Sequence, residues 1–310
     1  MIRKLVLAGY GIIHNTWFIF HYSHSDIKNI IISRTIFPRF FPFYASFLVK
    51  RFFKGRNVIW DFDDNIIADR EITKKELEIL IKYAKRVVVS NEYLKSTLPY
   101  TIHSKVNILC TTDHIFAKEN IDTYIRSRME TYSKKIYLIW LGTRDNVKYL
   151  GAIMSSLDLA AKELREHYDK ELILRCVSNT RVACECKYLR VENHVWSRHG
   201  AIELLKHSHV GLMPLQNNKF TLGKAAFKAV QYISAGMPAI VSDVGYCKEV
   251  ITNDMNGYRV STMNEWKDAV VALATDEAMY GRYSIAAREC WEDKFESHVN
   301  QTFWEEILKS

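Results

Sequence analysis

Cysteine is scarce in this chain and scattered along it. Its six cysteines, Cys110, Cys176, Cys184, Cys186, Cys247 and Cys290, form no dense framework, which excludes a secreted disulfide scaffold and leaves reduced thiols as the expected state. Cys184 and Cys186 invite a zinc reading together with Cys176, His194 and His199. Cys-x-Cys, however, lacks the two-residue spacer of structural zinc sites, so buried or edge-strand thiols are expected. Long apolar runs are missing as well: none approaches the ~20 uncharged residues of a membrane span, and no secretory pattern stands at the start. A cytoplasmic protein is therefore expected, peripheral at most on the inner face of the membrane. Gly9-Tyr10-Gly11 lacks the third glycine of a dinucleotide fingerprint, so no such cofactor is read there. No internal repeat appears.

Acidic residues are missing from one long stretch. Between Lys28 and Arg56 there are seven basic residues and no acid, interleaved with Phe37, Phe40, Phe41, Phe43, Tyr44, Phe47, Phe52 and Phe53. The net charge of +8 and the pI near 9.0 are thus partly local, and they call for an anionic partner. Within 38–54 the later half has an amphipathic helical pattern, aromatic on one side and cationic (Lys50, Arg51, Lys54) on the other. Two readings stand side by side: an aromatic stripe packed into a core, or an interfacial helix on an anionic membrane. Nucleic acid is not expected, because no binding motif accompanies the patch.

The chain is long enough, at 310 residues with 48% apolar content, for two domains of ordinary size. Strand patterns fall at 4–8, 29–33, 57–62, 86–90, 106–109, 136–141, 172–176, 210–215 and 239–241, with helical patterns between and after them. That alternation in both halves argues for an α/β protein of two doubly wound Rossmann-like domains facing a cleft.

The densest stretch runs from His209 to Val260. A buried-strand run reaches Leu215, a polar loop follows, and a helical pattern runs from Gly223 to Ser234. Ala235-Gly236 and Pro238 end it, and a second strand follows. The first turn of a helix carries unpaired N–H groups and partial positive charge, which suits a diphosphate. Gly223 lets the backbone come close, and Lys224 and Lys228, one turn apart, add two charges on one side. The competing reading is a solvated lysine face.

The order GK..FK..QY.SAG.P..VSDVG..KE.I....NGY, followed by Glu265-Trp266, resembles the donor-binding half of family-four (group 1) retaining glycosyltransferases of the bacterial cell-surface polysaccharide type. The resemblance is dense over about 50 residues. It implies a GT-B fold, a nucleotide-sugar donor, no metal requirement and no cofactor. In that family a Glu near the helix end usually holds the ribose, and two Glu spaced eight apart are common. This chain has Gly223 and Gln231 at those positions, so Gln231 offers an amide and no carboxylate. The resemblance also assigns the turn at Gly142, with Arg144 and Lys148, to the diphosphate, and Glu249 to the donor loop, where a helix-capping role competes.

A strand that runs into Asp61, Asp63 and Asp64 concentrates mutually repelling carboxylates, so it needs either compensating donors or a chemical task. It resembles the DxDD segment of the acceptor half of the same enzymes. Asp63 and Asp64 would orient an acceptor hydroxyl or stabilise an oxocarbenium charge. Asp61-x-Asp63 as a Mn²⁺ or Mg²⁺ pair is the reading of a different glycosyltransferase architecture, and an Asp cap of the next helix is the structural one. Arg34 closes a strand at the ligand edge of a parallel sheet, or else caps a helix or pairs with Asp61. His114 follows the turn that leads to the second domain, at the cleft or as a structural residue. The expected division is an acceptor-side domain 1–115, a link 116–135, a nucleotide-sugar domain 136–295 and a final helix 296–310 packing back on the first domain. The expected activity is hexosyl transfer from a nucleotide diphosphate-sugar to a glycan or polyprenyl-linked acceptor. The alternative is a non-catalytic nucleotide-sugar or membrane-surface protein on the same fold.

Overall fold

A computed structural model describes residues 2–309; the outer ends of the expected domains, residues 1 and 310, lie outside it. In chain order the elements are α1 (Ile2–Tyr22), β1 (Asn29–Ser33), α2 (Ala45–Phe53), β2 (Asn57–Phe62), α3 (Lys74–Tyr83), β3 (Arg86–Val89), α4 (Glu92–Ser96) and β4 (Val106–Ile108). They continue with α5 (Ile121–Tyr132), β5 (Lys135–Leu141), α6 (Val147–Tyr168), β6 (Glu171–Val177), β7 (Arg190–His194), α7 (Arg198–Lys206), β8 (Val210–Met213), α8 (Lys219–Leu222) and α9 (Phe227–Ser234). The chain then gives β9 (Ala239–Ser242), α10 (Cys247–Val250), β10 (Gly257–Val260), α11 (Met263–Thr275), α12 (Glu277–Phe295) and α13 (Ser297–Lys309).

Contacts divide the chain into two compact units. The first holds the residues up to Thr111, the segment 218–225 and the chain from Gln301 onward. The second holds 112–217 and 226–300. Each unit is built on one all-parallel sheet, in the order β1-β2-β3-β4 in the first and β10-β9-β8-β5-β6-β7 in the second. Parallel strands covered on both faces need near-continuous apolar runs. β2 and β3 supply them with Val58, Ile59, Trp60, Phe62, Val87, Val88 and Val89, all buried, and β5 with Ile136, Leu138, Ile139, Trp140 and Leu141. Each such side chain contributes about 1.5–3 kcal/mol of burial. Ile307 of α13 packs on Ile59 and Val88 within the first unit.

Local chemistry sets most helix starts. Thr73, Asn91, Ser197 and Asp276 each accept a hydrogen bond from the first turn of the helix they precede. Thr262 and Glu265 form a capping box at α11, and Trp266 beside them is buried in the core. The Glu265-Trp266 pair is therefore a helix start with its core anchor.

Several expected elements are corrected. Residues 4–8 belong to helix α1, not to a strand: a short apolar run does not by itself distinguish the two. The supposed link 116–135 contains α5, which packs on α12 and β5 inside the second unit. Within α5, Ile121, Arg128 and Tyr132 are buried. β8 stops at Met213, and the helix expected from Gly223 starts at Phe227. Cys184 and Cys186 are joined as a disulfide, which corrects the expected reduced state for that pair.

Candidate functional site

In the second unit the strand order turns back between β5 and β8. Parallel sheets bind ligands at the carboxyl ends of strands at such a point. A cavity of about 460 Å³ lies there, bounded by Gly142 and Thr143 after β5, Trp196 before α7, and Lys228 and Gln231 on α9. Its volume suits a nucleotide-sized ligand. Gly142 has no room for a side chain, since a Cβ would come within 2.0 Å of the Trp140 ring.

Helix α9 is held near its middle and at its carboxyl end. Near its middle the buried Tyr232 hydroxyl donates to the Leu212 carbonyl (3.1 Å) and accepts from the Leu141 amide (3.3 Å), which fixes α9 against β8 and β5. At its end, Arg128 donates to the carbonyls of Ala235 and Gly236 at 2.9 and 2.7 Å. No side chain caps its start, and Ala226 there adopts φ +51°. A non-glycine residue in the left-handed region costs of the order of 1–3 kcal/mol and tends to occur where function requires it. Lys228 stands in this uncapped first turn and lines the cavity.

The other candidates of the donor half are spread out. Gln231 lines the cavity and donates through Nε2 to Asp113 Oδ2 at 2.9 Å. Arg144 sits exposed on the turn 144–146, and Lys148 is exposed in the first turn of α6, its ammonium 5.0 Å from the Tyr149 ring centroid. Neither lines the cavity. Glu249 is exposed on α10. Lys224 is not on a helix face with Lys228: it follows α8 in the first unit, and its ammonium lies 4.6 Å from the Phe220 ring centroid. A Cβ on Gly223 would come within 2.8 Å of Asn65 and Leu94. The glycine thus serves close packing in the first unit, not the phosphate approach read from the sequence. A second cavity of about 440 Å³ at the ends of β8, β9 and β10 has no Lys or Arg among its described lining residues, so it offers an anion less.

In the first unit, Arg34 follows β1 with φ +63°, its amide donating to the Asp61 carbonyl and its own carbonyl accepting from the Trp60 indole. The guanidinium grips Glu71 through Nε and Nη2 (2.9 and 2.8 Å) and reaches Asp63 and Asp64 through Nη1 (2.8 and 3.1 Å). The pairing weighed for Arg34, with Asp61, is replaced by these three carboxylates. Arg34 holds Glu71 below the usual carboxylate range, chiefly through their hydrogen bonds. Asp61 carries no ion pair among the described residues, and burial, with Asp63 nearby, pushes its carboxyl up to about 6. It is thus ionised above that pH and neutral below it. Asn65 and Asn91 donate to the carbonyls of Lys219 and Gly223, at 3.0 and 3.2 Å, and so tie 218–225 to the acidic loop.

His114 is exposed, and the residue before it carries the contacts. Asp113 lines the cavity, accepts from Gln231 and from the Ile115 amide (3.2 Å), and lies 3.8 Å from Arg198. The only sequence sign of Asp113 was its place in the turn leading to the second domain.

No family model and no curated protein matches this sequence. Solved structures do share its fold. HepE of Anabaena, in complex with UDP and glucose, superposes with a TM-score of 0.66 at 11% identity, over 96% of this chain and 81% of that one. A glycosyltransferase from Rickettsia africae gives 0.64 at 13% identity over the same shares, 96% and 81%. The pneumococcal O-GlcNAc transferase GtfA, in complex with UDP and GlcNAc, gives 0.62 at 11% identity over 95% and 59%. The chain accordingly has the GT-B fold, α/β with two parallel-sheet domains.

Proposed function

We propose that this protein transfers a hexosyl group from a UDP-sugar to a hydroxyl of a glycan or lipid-linked acceptor, with retained anomeric configuration, in cell-surface polysaccharide synthesis. The observation that carries the reading is the cavity at β5 and α9, where an uncapped helix start and Lys228 adjoin a paired carboxylate and amide and an aromatic ring, Trp196. Those groups suit, in order, a diphosphate, a ribose and a base. The fold shared with UDP-bound structures supports it.

The barrier lies in losing the diphosphate while the sugar becomes cationic. Lys228 and the N–H groups of α9 meet charge that grows on the leaving group, while Arg144 and Lys148, outside the cavity lining, and Glu249 on α10 stay secondary candidates for the donor. On the acceptor side Asp61 supplies a carboxylate that is ionised above about pH 6. Arg34 holds Asp63 and Asp64 through one nitrogen and fixes where they point, which suits them to orienting an acceptor hydroxyl. His114 is the remaining acceptor-side candidate.

The test is thermal unfolding with UDP, GDP, ADP and CMP, each with and without EDTA. A ligand at a hundred times its dissociation constant adds about 2.7 kcal/mol to the folded state. A rise in melting temperature with UDP, unchanged by EDTA, is expected; no rise with any nucleotide would sink the donor reading.

One further observation favours a membrane-facing role. Phe43 and Phe47 are 89% and 69% exposed, and Trp17 and Phe20 on α1 are exposed too. No helix among the described residues is long and apolar enough to cross a membrane. Rings beside Lys50, Arg51 and Lys54 suit the interface of an anionic bilayer. Flotation with phosphatidylglycerol vesicles should carry the protein upward at low salt and lose it at high salt; protein that stays at the bottom at low salt contradicts this.

A further inference from the structure

Position 231 is where the resemblance expects a ribose-holding carboxylate, and the chain has an amide there. A carboxylate nevertheless stands next to it. Asp113 Oδ2 accepts from Gln231 Nε2 at 2.9 Å, Oδ1 accepts from the Ile115 amide at 3.2 Å, and Arg198 Nη2 lies 3.8 Å from Oδ1. Its side chain is 13% exposed, and both residues line the 460 Å³ cavity.

We propose that Asp113 provides the carboxylate that binds the ribose hydroxyls of the nucleotide, with Gln231 orienting it. This rests on the UDP-sugar reading above and assigns its specificity to a residue 118 positions away from the one expected.

Three physical points converge. An ionised carboxylate offers about four lone-pair directions, so acceptor capacity remains beside Gln231 and Ile115 for a donor from the cavity. A ribose cis-diol presents two such donors side by side. Gln231 gives its N–H to Asp113 and retains its carbonyl oxygen as a neighbouring acceptor. Electrostatics explains why the two residues occur together. A Glu at 231 would put two carboxylates within hydrogen-bond reach, and one would have to be protonated. Gln231 and Asp113 are therefore a matched pair in which the charge stands on the opposite side of the same contact. Arg198 balances that charge at the rim.

The experiment is calorimetric titration of the full chain with UDP and with 2′,3′-dideoxy-UDP. Wild type should bind UDP about thirtyfold more tightly, the usual worth of a hydrogen bond to a charged group. D113N should lose that factor for UDP and bind the dideoxy nucleotide as wild type does. Q231E should weaken UDP by a similar factor through repulsion, and the exchange D113N/Q231E should recover it to within about threefold. Equal affinity of wild type for the two nucleotides overturns the assignment even if the variants fold poorly. So does a D113N protein that still discriminates. Wild type that binds no UDP at all removes the donor reading and this proposal with it, which separates the two failures.

Discussion

Lys228→Ala should lower kcat/KM for the UDP-sugar about a hundredfold and leave the melting temperature unchanged. The side chain is part-exposed in the first turn of α9, so its removal opens no core. What is lost is a cation beside a helix start, where negative charge grows as the sugar–phosphate bond breaks. Removing one group preorganised for developing charge typically costs about 3 kcal/mol of transition-state stabilisation. Because the charge is larger in the transition state than in the bound substrate, kcat should fall more than KM rises. Lys228→Arg should keep part of the rate, since the charge survives and only its reach changes. Steady-state kinetics on the three proteins decides it. An alanine variant within threefold of wild type would place the diphosphate elsewhere.

Arg128→Met should lower the melting temperature of the second unit's transition by about 10 °C. Arg128 is 1% exposed and has no acidic partner among the described residues. Instead Nε donates to the carbonyl of Lys206, Nη1 to Gly236, and Nη2 to Leu205 and Ala235, at 2.7 to 3.1 Å. These are the last carbonyls of α7 and the first two beyond α9, where orphan acceptors and the negative dipole end coincide. Its own carbonyl accepts from His209 Nε2 at 2.9 Å, while His209 Nδ1 accepts from the Tyr137 amide, so that imidazole is neutral. Burial lowers the His209 pKa to about 3, which agrees with this. Methionine fills much of the volume but leaves the carbonyls of Lys206, Ala235 and Gly236 without the donor that Arg128 gave them, while Leu205 keeps a backbone donor; each loss costs about 1–3 kcal/mol. A total of about 4 kcal/mol at 2–4 °C per kcal/mol for a unit of this size gives the stated shift. Differential scanning calorimetry would refute it with a change under about 2 °C. UDP affinity should fall as well, because Arg128 anchors the far end of the helix that carries Lys228 and Gln231.

Much of the architecture could be read from residue order. Continuous apolar runs at β2, β5 and β6 identify parallel strands because both faces of such strands are covered. Asp61, Asp63 and Asp64 stood out because three acids at a strand end repel one another, and Arg34 compensates the last two. β7 escaped notice because Arg190–His194 is a half-exposed edge strand with few apolar residues. α5 read as a link because its outward face is polar.

What the sequence determined by itself was the set of elements that short-range rules govern: buried strands, capped helices, and the residue types able to meet phosphate and sugar. Tertiary structure decided where those residues stand. The run from Gly223 to Ser234 carries a helical apolar spacing, yet the helix begins only at Phe227. Before it, Gly223 is pressed on Asn65 and Leu94, and the Asn91 amide holds the carbonyls of Gly223 and Lys224. Arg34 meets carboxylates 29, 30 and 37 positions away, and Gln231 meets Asp113 across 118. Helix propensity differs by less than about 1 kcal/mol per residue among ordinary amino acids, so packing and buried polar contacts override it. Partners that far apart follow no sequence period; only the folded chain brings them together.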